Sequence, residues 1–369
     1  MDRFDNKERI TLHSFVFDLM EQHDYENIFF CQEKTIGLKA IIAIHDTTLG
    51  PAAGGVRMKE YETETDAITD ALRLARGMTY KCAAAGVSYG GGKCVVIGDP
   101  RRDKTEARLR ALGRFIHRLN GLFLTGPDSG TDLDDMVVMR METPYVVTLP
   151  ESWGGPGDSS GATAFGLVQG MRACVKEVYG SDDLQGRTVA LQGVGAVGKH
   201  AVPYLLEAGA IVTIADIDQE RVKQMAAEYE VRVAHPEEIH ALDVDVYCPC
   251  ALGGTLNDQS LPELRCKIVC GSANNQLVDD RHGDLLQERG ILYAPDYIVN
   301  AGGVLSGLDS LRPGGFDRQR AMERVARIYE TMERVIAIAR EQHIPTYRAA
   351  DVLAEQHIAM VRQVKSLGV

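Results

Sequence analysis

No stretch of 18 consecutive apolar residues occurs in this 369-residue chain, so no membrane-spanning helix is expected. The N-terminus, Met1 to Ile10, is polar and charged and lacks the apolar core of an export signal, which points to a cytoplasmic protein. Positive charge is in deficit. Forty Lys and Arg against 52 Asp and Glu leave a net charge of -12, which removes the general electrostatic footprint for nucleic acid or anionic membrane. The ten histidines include no H-E-x-x-H and no other ligand spacing. Eight cysteines without an export signal read as reduced thiols. Cys248, Cys250, Cys266 and Cys270 lie close together, but C-x-C with C-x3-C departs from the C-x2-C of zinc sites. They read as small buried hydrophobes, and no metal is expected. Prolines number only 13, so the chain is not Pro/Gly low-complexity sequence.

Glycine, by contrast, is abundant: 37 residues, about a tenth of the chain, against roughly 7 % on average. Either these glycines are scattered in turns or they cluster where backbone must come close to something. The length suggests two domains, three at most. Strand-like and helix-like pieces alternate in the first half. Ile28–Cys31, Leu38–His45, Cys94–Ile97 and Phe123–Thr125 read as strands, and Arg108–Leu119 as a helix. Thr63-x-x-Asp66 has capping-box form and opens a helical stretch with apolar Ile68, Leu72, Ala75 and Met78. Trp153–Gly161 is the most glycine-rich loop and the candidate linker. Beyond it, strands at 188–192, 211–215, 244–248 and 268–270 alternate with helices, the pattern of a parallel, doubly wound sheet. Met322, Val325, Tyr329, Met332, Ile336 and Ala339 step along one face of a helix that Pro345 stops, and Ala349–Val364 forms a last helix.

Gly193-Val194-Gly195-Ala196-Val197-Gly198 sits between the strand Val189–Gln192 and a helix starting near Lys199. A second strand, Ile211–Ala215, ends in Asp216. This is the context in which G-x-G-x-x-G becomes a specific dinucleotide fingerprint. The first glycine permits the tight turn, the second lets backbone approach a pyrophosphate, and the third lets helix and strand pack closely. The helix N-terminus stabilises the phosphate charge. Asp216 would accept hydrogen bonds from ribose hydroxyls and repel a 2′-phosphate, so NAD is expected over NADP.

Met78-Thr-Tyr-Lys81 and Gly90-Gly91-Gly92-Lys93 form the sharpest local feature. A Walker A reading fails, because Val87 stands where it needs Gly and Cys94 where it needs Ser or Thr. Three adjacent glycines cost backbone entropy and need a reason; a main chain entering a tight cleft would supply one. Lys81, Lys93 and Asp128 in such a cleft suit an amino acid. One ammonium holds the α-carboxylate, the aspartate faces the amino group, and the second lysine serves as base. The alternative is solvated lysines on a glycine loop.

With these motifs, LGPAAGGVRM (49–58), RGMTYKCAAAGVSYGGGKCVVIGDP (76–100), TGPDSGTDLDDM (125–136), YCPCALGG (247–254), GSANNQL (271–277) and APDYIVNAGGV (294–304), the chain resembles the Glu/Leu/Phe/Val amino-acid dehydrogenases, closest to the leucine and phenylalanine branch. The resemblance runs nearly end to end. It implies reversible oxidative deamination of an L-amino acid to the 2-oxo acid and ammonium, with NAD as acceptor. Lys81 would bind the α-carboxylate, Lys93 would be the general base, and Asp128 would assist proton transfer at the amino group. Gly54 and Gly55 would line the reacting carbon, and Met78 and Asn275 would meet the substrate. Asn274, Thr163 and Ala251 would sit at the cofactor. The fold implied is α/β in two domains. Residues 1–149, completed by a returning C-terminal helix at 337–369, would bind substrate and oligomerise. Residues 150–336 would form a Rossmann domain, with a cleft that closes between the two. A homo-oligomer is implied, an octamer for the leucine type.

The side-chain pocket departs from the leucine pattern. Ala53, Gly126 and Gly307 stand where leucine-type enzymes carry Leu, Ala and Val, while Val304 fits that type. All three departures remove volume. A methylene contact is worth roughly 1–3 kcal/mol of discrimination, so phenylalanine or another bulky side chain is favoured. Leucine and valine specificity is the alternative. A further departure, Gly307–Phe316, could move Gly307. An NAD-dependent 2-hydroxy-acid dehydrogenase would want a catalytic His with an Arg for the carboxylate, and no such pairing is evident, although Arg57 lies near the glycines. The intact Lys81, Lys93 and Asp128 set argues against a non-catalytic NAD sensor.

Overall fold

A computed structural model describes residues 16–367. They form two compact units: residues up to Gly157 together with the segment from Ile358, and Asp158–His357.

The first unit is built on a five-stranded mixed sheet in the order β1-β2-β4-β3-β5. Its strands are β1 (Asn27–Glu33), β2 (Leu38–Asp46), β3 (Ala52–Lys59), β4 (Gly90–Ile97) and β5 (Phe123–Pro127). β2 runs antiparallel to both β1 and β4, whereas β3 is parallel to β4 and β5. Side chains alternate across the sheet. Ile42, Ile44, Val56, Cys94 and Val96 meet helices α2 (Glu106–Arg118) and α3 (Leu133–Arg140) through Leu109, Leu112, Ile116, Met136 and Met139. On the other face Ile41, Ala43 and Val95 meet α1 (Glu64–Ala84) through Ala67, Ile68, Ala71, Leu72 and Ala75. The expected capping box opens α1: Thr63 accepts from the Asp66 N–H, and Asp66 accepts from the Thr63 N–H.

Two features depart from the sequence reading. Gly90–Gly92 are not a loop but the first residues of β4, paired with β2 and β3. β3, with Gly54 and Gly55 inside it, carries no β-branched run to mark it and escapes pattern reading.

The second unit holds six parallel strands in the order β11-β10-β9-β6-β7-β8. They are β6 (Thr188–Gln192), β7 (Ile211–Ala215), β8 (Arg232–Val233), β9 (Val246–Pro249), β10 (Ile268–Val269) and β11 (Leu292–Tyr293). Two three-strand halves diverge from β6 and β9, the Rossmann order, and the crevice at their carboxyl ends is the topological switch point. Helices α4 (Ser160–Tyr179), α5 (Gly198–Glu207), α6 (Gln219–Glu228) and α7 (Asp280–Glu288) follow the alternation. The stretch expected as one helix from Met322 to Pro345 is two. α8 (Gly302–Asp309) is followed by α9 (Arg318–Ala326) and α10 (Ile328–Gln342), which divide at Arg327, whose N–H turns back to Arg324 O. Buried Asp309 anchors the loop between α8 and α9 through a forked ion pair to Arg320 at 2.8 and 2.7 Å. The last helix, α11 (Thr346–Ser366), begins in the second unit, and its turns from Ile358 belong to the first.

All eight cysteines are free thiols and seven are buried, as small hydrophobes are. Among the described residues no helix is long and apolar enough to cross a membrane.

Candidate functional site

Strand register brings together the expected residues of the first unit. Ala53 lies opposite Leu124 and Gly91, and Gly55 opposite Gly126. With a period of two, one face of the sheet presents Gly91 and Lys93 from β4. Ala53, Gly55 and Arg57 follow from β3, and Gly126 and Asp128 from the β5 end. This is the face that α1 covers in part. Met78 and Lys81 lie three residues apart near its C-terminal end, both half-buried.

Lys93 is buried, and its Nζ lies 3.0 Å from Asp128 Oδ2. Solvated lysines on a loop are therefore excluded for this residue. Arg57 Nε donates to the same oxygen at 2.9 Å. Burial would raise the Asp128 carboxyl, but the Lys93 and Arg57 charges outweigh it and hold the group at about 2. Asp128 is therefore a carboxylate at any ordinary pH. Its backbone N–H donates to Thr131 Oγ1, which fixes the chain just beyond β5.

The glycines here serve close packing of protein on protein. A Cβ on Gly91 would run into the Thr79 backbone of α1, and one on Gly92 would meet the Phe123 ring at 2.8 Å. A Cβ on Gly54 would strike the Gly92 carbonyl, and one on Gly55 would lie 2.8 Å from Asp128 Cβ. The triple glycine thus lets α1 lie directly on β4. At Gly126 the space is different: an added Cβ would make ordinary contacts with Val147 and Thr148 at 3.4–3.5 Å. Arg57, which the sequence reading placed near the glycines but gave no role, stands at the Asp128 carboxylate. Alternation along β3 places it two residues from Gly55, but only once β3 is known to be a strand.

The second unit holds the other expected residues. Gly193 turns at φ 97°, and a Cβ there would crowd Ala251 at 2.8 Å, at the switch point between β6 and β9. Gly198 packs against the Gly193 carbonyl, whereas Gly195 faces open space, with only the tip of Arg221 within 4 Å. Gly193 thus makes the tight turn and Gly198 the close helix–strand contact, while Gly195 leaves open space. Val194 is buried, and Ala196 and Val197 lead into α5. Asp216 Oδ2 accepts the Val194 N–H at 2.8 Å and Oδ1 accepts the Asp218 N–H at 2.9 Å, so the acid also braces the glycine loop. Thr163, in the first turn of α4, donates to Ser159 O at 3.1 Å, and its hydroxyl would meet a Cβ on Gly303. Asn274 accepts from buried Asn300 at 2.7 Å, and exposed Asn275 holds a left-handed φ of 53°. Val304 and Gly307 share a face of α8, three residues apart.

Two family models match. The dimerisation domain of the Glu/Leu/Phe/Val dehydrogenases covers residues 27–145, and the Glutamate/Leucine/Phenylalanine/Valine dehydrogenase model covers 154–220 and 211–365. The chain belongs to the Glu/Leu/Phe/Val dehydrogenase family. It is an amino-acid dehydrogenase, an oxidoreductase acting on a CH–NH2 group. The leucine dehydrogenase of Geobacillus stearothermophilus is 51% identical over 351 residues, 95% of each chain. The phenylalanine dehydrogenase of Thermoactinomyces intermedius is 45% identical over 354 residues, 95% of this chain and 96% of that one. The crystal structure of L-tryptophan dehydrogenase from Nostoc punctiforme superposes with a TM-score of 0.83 at 41% identity, covering 94% of this chain and 99% of that one.

Proposed function

We propose that this dehydrogenase catalyses the reversible oxidation of a hydrophobic L-amino acid, with bulky side chains favoured, in the balance L-amino acid + NAD+ + H2O giving 2-oxo acid + ammonium + NADH + H+. The observation that carries the reading is the buried Lys93–Asp128 pair on one sheet face with Ala53, Gly55 and Gly126. Lys81 binds the α-carboxylate. Asp128, held ionised, takes a proton at the substrate amino group. Lys93 in its neutral form removes a proton from the water that attacks the iminium carbon, and returns it as the amine leaves. Gly54 and Gly55 keep side-chain bulk away from that carbon, and Met78 adds a substrate contact from the same unit; for Asn275, in the second unit, a substrate contact is implied by the family resemblance.

Gly193 to Gly198 and the N-terminus of α5 fit a pyrophosphate, since Gly195 leaves its approach open. When bound, NAD supplies the two-electron acceptor. Asp216 holds its ribose and disfavours a 2′-phosphate, and Thr163, Ala251 and Asn274 lie toward the nicotinamide half. Ala53 and Gly126 in the first unit, and Gly307 in the second, are each smaller than their counterparts in the leucine type, while Val304 matches that type, and this supports the preference for bulky side chains. The protein works as a homo-oligomer, an octamer.

A substrate panel tests this reading. kcat/KM for L-Phe, L-Trp, L-Leu and L-Val is measured with NAD and with NADP, and NADH oxidation is measured with and without ammonium. The expected outcome is a preference for the bulky amino acids with NAD, strict dependence on ammonium in reverse, and loss of turnover in Lys93→Ala. A strong preference for valine would sink the enlarged pocket. Tighter NADP would refute the role of Asp216. Full turnover in Lys93→Ala would require another base.

A further inference from the structure

The reaction asks something awkward of the Lys93–Asp128 pair. Lys93 must pass through a neutral state to act as a base, and at that moment a carboxylate tied to it alone loses its counter-charge. Burial then favours protonation of Asp128, and the proton needed elsewhere is trapped. The structure contains a second, permanent cation at the same oxygen. Arg57 Nε is 2.9 Å from Asp128 Oδ2, where Lys93 Nζ is 3.0 Å away.

Arg57 is itself fixed at its far side. Its NH1 donates to Asp70 Oδ2 on α1 at 3.1 Å. That oxygen also accepts from Tyr61 at 2.7 Å, and Asp70 Oδ1 accepts from Arg73 at 3.0 Å. The planar guanidinium therefore spans two carboxylates from two elements, which an ammonium on a flexible stem cannot do. Lys93 from β4, Arg57 from β3 and Tyr61 just beyond β3 are charged or titratable groups that act on or are acted on by Asp128. Only Arg57 among them keeps a positive charge through the whole cycle.

We propose that Arg57 is a positioning residue that holds Asp128 ionised and oriented, with Oδ2 committed to the protein and Oδ1 turned to the substrate amino group, independently of the proton on Lys93. This rests on the reading of Lys93 and Asp128 given above.

The test compares wild type, Asp128→Asn, Arg57→Met, Arg57→Lys and Asp70→Asn, with folding followed by circular dichroism. kcat and KM for the preferred amino acid are measured across pH. Arg57→Met should lower kcat by about 10- to 100-fold. It should also move the acidic limb of the Asp128 carboxyl titration, followed by its own 13C signal, up by about 1–3 pH units, as expected when an adjacent arginine is lost. Arg57→Lys should restore the position of that limb but not the full kcat. Asp70→Asn, which frees the far end of Arg57 but keeps its charge, should lower kcat with the limb in place. A folded Arg57→Met with wild-type kcat and limb, beside an inactive Asp128→Asn, overturns the role of Arg57 alone. If Arg57→Met does not fold, wild-type behaviour of both Arg57→Lys and Asp70→Asn overturns it equally. Full turnover in Asp128→Asn overturns the reading of the site itself.

Discussion

A methyl group on Gly55 would lie 2.7 Å from Pro127 O and 2.8 Å from Asp128 Cβ, and neither neighbour is a flexible tip. Gly55→Ala should therefore push the end of β5 away from β3 and break the Arg57–Asp128 contact. The expected outcome is a loss of kcat of about 100-fold, the scale of a 1 Å misplacement. Gly126→Ala, whose added Cβ finds ordinary contacts, should retain Asp128 geometry and most of its activity toward small substrates. Equal activity of Gly55→Ala and wild type in steady-state assays would refute the steric argument. At this scale the sequence was informative where chemistry and unusual composition coincide. Lys93 and Asp128 stand beside glycines and a proline, and the fold brings them to 3.0 Å. Arg57 carries no such flag. Its place depends on the pleat of β3, and a strand reading AAGGVRMK lacks the residues that announce strands.

At the scale of elements, the junction of α1 with β4 decides where Lys81 and Lys93 can stand. A Cβ on Gly91 meets helix backbone, whereas one on Gly77, on the exposed side of α1, meets nothing within 4 Å. The same substitution should thus have opposite signs. Gly77→Ala should stabilise by up to about 1 kcal/mol through helix propensity. Gly91→Ala should destabilise by about 1–3 kcal/mol through overpacking, or more if α1 lifts off. Urea midpoints of the two variants check this, and a stabilised Gly91→Ala would show that α1 does not need the close approach. α1 itself was legible, since Thr63 and Asp66 announce its start and its apolar positions repeat at helical spacing. The strand beneath it was only half legible. Cys94–Ile97 shows a buried apolar run, but Gly90–Gly92 were left outside the strand, because single-residue preferences do not register a helix lying on top.

For the whole molecule, alternation of strand and helix after residue 180 carried the parallel order of the second sheet almost unaided. The mixed order of the first sheet was not accessible, because pairing between distant strands leaves no local trace. One buried group should govern acid stability. His45 Nε2 donates to His23 O at 3.1 Å, and its Nδ1 lies 2.9 Å from Thr79 Oγ1. Burial lowers the pKa of the ring from the usual 6.5 to about 4, against the pull of Asp46. The stabilisation is complete above pH 6.5 and is lost as pH falls toward 4, at about 1.4 kcal/mol per pH unit. Between pH 7 and 4.5 the wild type should therefore lose about 2–3 kcal/mol more than His45→Asn. Parallel pH dependences in denaturant titrations would assign acid sensitivity elsewhere.

Arg362, in the closing turns of α11, reaches Asp46 at 2.8 Å, a contact spanning 316 positions of the chain. During synthesis the strands of the first sheet leave the ribosome long before their last partner exists. Asp158–His357 is continuous and can close as soon as it emerges. The order of manufacture is thus the reverse of the order of completion: the segment made first is finished last.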